Sequence, residues 1–324
     1  MQHTRLGPFD GVSRLALGGG GIGAVWGPTT RDEAIATVHA AVAAGINLFD
    51  LAPSYGNGEA EIVMGEAFAG RFPAGVRVTT KCQLGAPEPN AVYPTLRASL
   101  EASLTRLRVD HVDCFILHSL LVPDVRGERG SGHASAAGTP LSLYRSHVRA
   151  AFQHLVDEGL ARAWGVTGIG VPSVVQAVLE DAPRPQIVQC IANLLDSPGG
   201  LKRYEEPATP RTLIAAAGAR GVGVMGIRAV QAGALTDAFD RPLAGDHPDV
   251  EDYRRAAPFR AIASELGVSA AYLAHRYALS IEGVDTVVLG VKDRTELAEC
   301  VRAESDGPLD AALTSRIDHA VGRA

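Results

Sequence analysis

Gly45-Ile46-Asn47-Leu48-Phe49-Asp50-Leu51-Ala52-Pro53-Ser54-Tyr55-Gly56-Asn57-Gly58 reads as a strand, a turn and the approach to a helix. Ile46 to Phe49 have the length and apolar character of a short buried strand, which stops at the carboxylate of Asp50. A turn rich in Pro, Ser, Gly and Asn carries Tyr55, and Glu59 opens a helical pattern. A parallel barrel keeps its chemistry at the C-terminal ends of its strands and in the loops just after them. Asp50 and Tyr55 would both stand there. Taken alone, they read equally well as a strand cap and a packed loop tyrosine.

The same alternation continues in both directions. A polar hairpin over 5–12 precedes a strand from Ser13 to Leu17, and an Ala-rich helix runs from Arg31 to Ala44. After the helix from Glu59 to Ala69 come strands at Val76–Lys81, Val112–His118, Ala161–Thr167, Gln186–Cys190, Val222–Ile227 and Val284–Gly290. Helices are expected at Tyr93–Leu107, Leu143–Glu158, Val171–Leu179, Pro207–Arg220, Val250–Leu266, Ser269–Ser280, Thr295–Ala303 and Leu309–Ala320. Eight short apolar strands alternating with helices predict an α/β fold, a (β/α)8 TIM barrel, rather than an open doubly wound sheet. It has an N-terminal hairpin and a single domain over 1–324. Two connections, 120–141 and 229–250, exceed the ordinary length and are expected to lie over the C-terminal face.

The run Gly18-Gly19-Gly20-Gly21-Ile22-Gly23 permits close approach of the backbone to a ligand. It lacks the Lys-Ser/Thr of a phosphate-binding P-loop. Its GxGxxG-like match has no acidic partner set in a clean strand–turn–helix unit, so a Rossmann reading is rejected.

Composition narrows the rest. With 324 residues, 46% of them hydrophobic, the chain can bury a full core. A net charge of −6 gives no support to a nucleic-acid or anionic-membrane partner. Cys82, Cys114, Cys190 and Cys300 form no CxxC pair, which excludes the usual zinc-ribbon pattern and suggests no disulfide framework. Residues 1–10 lack a basic segment followed by an apolar run, and no run approaches the length of a membrane span. A soluble, cytoplasmic protein with a small-molecule ligand is expected. Its oligomeric state is not encoded in these features.

Four polar groups fall at or just beyond the ends of three neighbouring strands: Asp50, Tyr55, Lys81 and His118. Singly, each has a structural explanation as a cap, a packed loop residue, a solvated end or a core imidazole. Together on one face they describe proton transfer to or from an oxygen on carbon. A tyrosine of ordinary pKa about 10 is a poor acid at neutral pH. A nearby ammonium favours the phenolate and brings donation into range. A lysine in a barrel mouth needs a carboxylate to hold its charge, and Asp50 suits that. A histidine can orient the substrate oxygen.

In these motifs the chain resembles the aldo-keto reductases. The resemblance is carried by Phe49 to Glu61, Thr80-Lys81, Leu117-His118, Gly165-Val166-Thr167, Val188-Gln189 with Asn193-Leu194-Leu195, and Val287 to Glu299, and it spans nearly the whole chain. It implies hydride transfer from a nicotinamide cofactor held across the barrel mouth without a Rossmann domain. Tyr55 would be the proton donor, Lys81 paired with Asp50 would tune it, and His118 would orient the substrate. The resemblance places Thr167 and Gln189 at the nicotinamide carboxamide, with Gly18, Gly19 and Asp50 lining that end. Ile227, Arg228, Ala229 and Val230 would meet the ring and pyrophosphate. Gly290, Lys292, Arg294, Glu296 and Glu299 would hold the adenosine half.

The departures from the family's pattern have consequences. Gly168 replaces a usual Asn, so one amide contact is lost, and Ile227 stands where an aromatic often stacks on nicotinamide. Arg228 replaces a small hydroxyl residue and reads either as a pyrophosphate ligand or as a solvated strand-end cation. Gly20, with Tyr55 and His118 among the expected substrate-binding residues, stands where a bulky residue often narrows the pocket, which implies room for a larger substrate unless the long loops refill it. Glu296 occupies the position of an Arg that often holds the 2′-phosphate, although Lys292 and Arg294 are close by. NADP is the expected cofactor and NAD the alternative.

The expected activity is the NAD(P)-dependent interconversion of an aldehyde or ketone and its alcohol. Two alternatives are a sugar or aldose dehydrogenase working oxidatively, and a cofactor-binding subunit that reports redox state to a partner. A metal-dependent barrel using His111, Asp113 and His118 is disfavoured, since the odd separation of His111 and His118 puts them on opposite faces of a strand.

Overall fold

Alternate residues of a strand face opposite ways, and this chain uses both faces of each short apolar run. The computed structural model of the chain describes residues 1–124, 138–239 and 242–323. After a hairpin of β1 (His3–Leu6) and β2 (Phe9–Ser13), the core strands are β3 (Leu15–Gly18), β4 (Leu48–Asp50), β5 (Arg77–Cys82) and β6 (Val112–Leu117). Two short strands follow, β7 (Leu120–Val122) and β8 (Gly138–Pro140). The core is completed by β9 (Ala161–Thr167), β10 (Ile187–Ile191), β11 (Gly223–Ile227) and β12 (Thr286–Leu289). Strands β3, β4, β5, β6, β9, β10, β11 and β12 pair in that order and close into a parallel barrel, as the sequence pattern predicts. Ala16, Leu48, Cys114, Ile116, Ala163, Ile187 and Met225 pack together within it, and Leu6 and Val12 of the hairpin join them. Leu17, Phe49, Phe115, Leu117 and Val166 belong to the larger cluster shared with the helices.

That outer layer is well filled. Phe152, on the helix Arg149–Asp157, sits 5.1 Å from the Phe115 ring and 5.8 Å from Trp164. All three rings are essentially unexposed, and each contributes about 1.5–3 kcal/mol by leaving water. The packing leaves Trp164 beneath the helical layer.

Two expected helices are interrupted. The one anticipated over 250–266 divides into Pro248–Arg255 and Ala257–Glu265. Pro258 has no N–H to bond the turn before it, and its ring crowds the carbonyl of Arg254. The one expected over 143–158 contains a wide turn at Tyr144–Val148 before Arg149–Asp157. The long connection 120–141 begins and ends in β7 and β8, which pair in parallel; its residues 125–137 lie outside the described residues. In the other, a tight turn at Gln231–Gly233 precedes the helix that begins at Pro248, and residues 240 and 241 are outside the description. Among the described residues, no helix is long and apolar enough to cross a membrane.

Candidate active site

Three of the four chemical groups are delivered by strand ends and the fourth by the loop after one of them. Asp50 is the last residue of β4, Lys81 lies next to the end of β5, and His118 directly follows β6, its amide donating to Cys82 O at 2.8 Å. Tyr55 stands in the loop between β4 and the helix Glu59–Ala67. That helix is fastened to β5 by Glu61, a buried carboxylate that accepts from Thr80 Oγ1 at 2.5 Å and from Arg106 Nε at 2.6 Å. The turn bearing the tyrosine and the strand bearing the lysine are thereby joined through side chains on their outer faces.

The structure brings the expected groups into contact. Lys81 Nζ, wholly buried, donates to Asp50 Oδ2 at 2.9 Å, Leu51 O at 2.8 Å and Tyr55 Oη at 3.2 Å. These partners occupy all three ammonium protons. The ring of His118 meets that of Tyr55 edge-on at 6.0 Å between centroids. Asp50 Oδ1 accepts from Thr79 Oγ1 at 2.7 Å and from Gln189 Nε2 at 2.8 Å. Gln189 therefore reaches Asp50 from the opposite wall, since β10 and β4 stand half a turn of the barrel apart. Sequence reasoning missed Thr79 and the Leu51 carbonyl. Thr79 had a signal, because it lies two residues before Lys81 and so points the same way.

Charge in this cluster follows from burial. Burial pulls the Lys81 ammonium down, but Asp50 and Tyr55 outweigh it and its pKa lies above the ordinary lysine value. Burial pushes the Tyr55 phenol up; Lys81 draws it down, Asp50 opposes that, and the net direction is up. The expectation that the ammonium lowers the phenol holds for that one interaction and not for the sum. His118 is pulled down to about 3, by burial first and by Lys81 second. Its imidazole is neutral at pH 7 and has one N–H to offer a substrate oxygen.

The residues expected around a nicotinamide separate into two groups. Thr167, at the end of β9, is the register partner of Gln189. Its hydroxyl donates to Leu117 O at 3.0 Å, leaving the oxygen as an acceptor, and no described residue donates to Gln189 Oε1. Two adjacent acceptors suit the two protons of a carboxamide, so this acceptor pair fits that end of the cofactor. Gly18 and Gly19 are buried at the end of β3, and Ile227 closes β11 with Ala229 buried beyond it.

The charged residues of the second group have protein partners. Arg228, in a left-handed conformation (φ 60), bonds Gln231 Oε1 and Asp249 Oδ1, each at 2.9 Å. It is mostly buried there rather than being a solvated strand-end cation. Lys292 pairs with Glu296, and Arg294 forms a two-pronged bond with Glu33 at 2.9 and 3.0 Å. Glu299 accepts from Ser269 Oγ at 2.6 Å. A phosphate reaching Lys292 or Arg294 would have to compete with a carboxylate. His111 and Asp113 lie at the start of β6, with Asp113 accepting from the Val78 amide at 2.8 Å, whereas His118 follows its other end.

Comparison with known proteins shows the family. The model of the Aldo/keto reductase family matches residues 14–321. L-Galactose dehydrogenase from Arabidopsis thaliana is 28% identical over 297 residues, 91% of this chain and 85% of its own length. A probable voltage-gated potassium channel subunit beta from Oryza sativa is 28% identical over 306 residues, 86% of this chain and 83% of its own. The solved structure of a glycerol dehydrogenase from Gluconobacter oxydans superposes with a TM-score of 0.72 at 25% identity, covering 99% of this chain and 95% of that one.

Proposed function

The chain belongs to the aldo/keto reductase family and is an NAD(P)-dependent oxidoreductase of aldehydes, ketones and alcohols, and we propose that Tyr55 exchanges the proton with the substrate oxygen. The observation that carries this is the chain of contacts from Asp50 through the buried Lys81 ammonium to the Tyr55 hydroxyl. When bound, the nicotinamide supplies or accepts the hydride. In the reductive direction Tyr55 gives its proton to the developing alkoxide, and the phenolate left behind faces Lys81 Nζ at 3.2 Å. Asp50, fixed by Thr79 and Gln189, holds the ammonium in place. His118, neutral, donates its N–H to the same substrate oxygen and sets its approach to Tyr55.

Thr167 and Gln189 are the residues proposed to hold the carboxamide, and Lys292 and Arg294 those proposed to meet a 2′-phosphate. NADP is favoured and NAD is the alternative. Similarity to a galactose and a glycerol dehydrogenase supports a small polyhydroxylated substrate. Similarity to the channel subunit supports, as a second reading, a cofactor-binding protein that signals to a partner. The experiment that separates them is turnover of glyceraldehyde with NADPH or NADH by wild type and Tyr55→Phe, with cofactor affinity followed by nicotinamide fluorescence. The variant should lose about 10²–10⁴ in kcat, the usual value of a general acid, while its cofactor Kd stays within about twofold. Undiminished turnover in Tyr55→Phe would remove the tyrosine from the mechanism.

A further inference from the structure

The glycine-rich turn Gly19–Ile22 is hemmed in on several sides. A Cβ on Gly19 would stand 2.9 Å from Tyr55 Cδ2, and one on Gly21 would stand 1.8 Å from the carbonyl oxygen of Val291. Gly20 faces a different neighbour. A Cβ there would lie 2.4 Å from Nε1 and 3.1 Å from Cδ1 of Trp26. The same indole flanks Gly290, where a Cβ would lie 3.3 Å from both of those atoms. Beyond it, Thr29 Oγ1 donates to Lys292 O at 2.8 Å and fastens the loop to the segment after β12. Val25, beside the tryptophan, is 41% exposed, one of two large hydrophobics so exposed among the described residues.

The space implied by the missing side chain at Gly20 is therefore taken by an aromatic ring six positions later. We propose that Trp26 is a specificity-determining residue. Its indole walls the mouth between Tyr55 and the segment after β12, and so restricts the carbonyl or alcohol substrate to small polyhydroxylated compounds. An indole suits this role because it presents a large, rigid apolar face at low conformational cost. The C–H edges of a polyol can lie on that face while its hydroxyls reach Tyr55 and His118. Val25 adds an apolar rim that a seated ligand covers. The inference rests on the reading of this face as the active-site mouth of an NAD(P)-dependent enzyme.

The test compares wild type, Trp26→Ala and Gly20→Ala, each saturated with NADPH, on glyceraldehyde and on a bulky aromatic aldehyde. Gly20→Ala approaches the same wall from the other side, because its methyl cannot coexist with the indole where it now sits. In both variants the ratio of kcat/KM for glyceraldehyde to that for the aromatic aldehyde should fall about tenfold. The Kd for NADPH, read from nicotinamide fluorescence, should stay within about twofold. A second readout does not depend on turnover. The chain has two tryptophans, and Trp164 is fully buried under the helical layer, so the emission lost in Trp26→Phe is that of Trp26. Glycerol added to the complex with NADP should change that emission in wild type.

An unchanged substrate ratio in both variants overturns the proposal. So does a ratio that moves in step with NADPH affinity, which would make Trp26 a cofactor contact instead. A wild type that binds neither NADPH nor NADH and reduces neither aldehyde refutes the underlying reading, and this inference falls with it. An active wild type with an unaltered ratio in the variants refutes the inference alone.

Discussion

Asp50→Asn removes one charge from a pair whose other member has no route to water. The Lys81 side chain is 0% exposed and that of Asp50 3%. Asparagine keeps the volume and one acceptor oxygen but turns the other into an N–H donor, so the change removes the charge together with one acceptor. Deleting one partner of a buried ion pair costs about 3–5 kcal/mol, and the pH dependence identifies the cause. Lys81 has a folded pKa above its ordinary value, because Asp50 and Tyr55 outweigh burial. Its stabilisation is therefore fully present below the unfolded value of about 10.4 and is lost only as pH rises through the higher folded value. Wild type has no loss from Lys81 between pH 7 and about 10.

In the variant, burial goes unopposed by Asp50 and the folded pKa drops below the unfolded one. The unfolded chain then binds more protons than the folded chain, and stability rises with pH between those two values. The deficit relative to wild type should be about 3–5 kcal/mol at pH 7 and shrink by about 1.4 kcal/mol per pH unit within that window. Urea unfolding of both proteins at pH 7, 8, 9 and 10 measures it. A deficit that is constant over the range, or one below about 1 kcal/mol at pH 7, would refute the account of Lys81 as a buried charge held by Asp50.

His118, pulled down to about 3, is neutral when folded and takes up a proton when unfolded below about pH 6.5. Its depressed pKa costs stability as pH falls from about 6.5 toward 3, so His118→Gln should lose less Tm than wild type between pH 7 and 4. An equal loss in both would contradict the assignment. At the proposed adenosine end, Glu296→Gln leaves Lys292 with one carboxylate fewer while retaining an oxygen for the Lys292 amide. An exposed pair is worth about 0–1 kcal/mol, so NADPH should bind up to about fivefold tighter with NADH unaffected. Parallel changes for the two cofactors in a binding titration would remove Lys292 from the 2′-phosphate.

The barrel was legible because short apolar runs and helical periods are local signals, and eight of them in alternation leave few architectures. The placement of Asp50, Tyr55, Lys81 and His118 followed, since each sits at a strand end, or in the loop just after one, that the pattern locates. What the sequence did not disclose depends on neighbours far along the chain. Gln189 and Asp50 are 139 residues apart and meet only because the barrel closes. Glu33 and Arg294, 261 residues apart, pair between the helices Arg31–Ala43 and Arg294–Ser305. Gly20 implied an open pocket because the residue that fills it comes from a loop, and a loop has no period to read. Arg228 carried two readings from its type alone, and only the fold brought Asp249 to it.

The raised pKa of Tyr55 bears on how such a site works. If the lysine simply made the tyrosine more acidic, part of the enzyme would carry a phenolate before substrate arrived and would have no proton to give. Burial prevents this by keeping the phenol neutral, and the same burial makes the 3.2 Å contact with Lys81 stronger than it would be in water. Under the proposed mechanism the ammonium therefore does little for the neutral ground state and most for the phenolate that appears as the proton leaves. That is the condition for lowering a barrier rather than tightening binding. Asp50 limits the effect, because its charge raises the phenol while holding the lysine. Thr79 and Gln189 both donate to Oδ1, the oxygen that does not bond Nζ. They draw the carboxylate's charge away from the lysine and leave the ammonium more of its field for Tyr55.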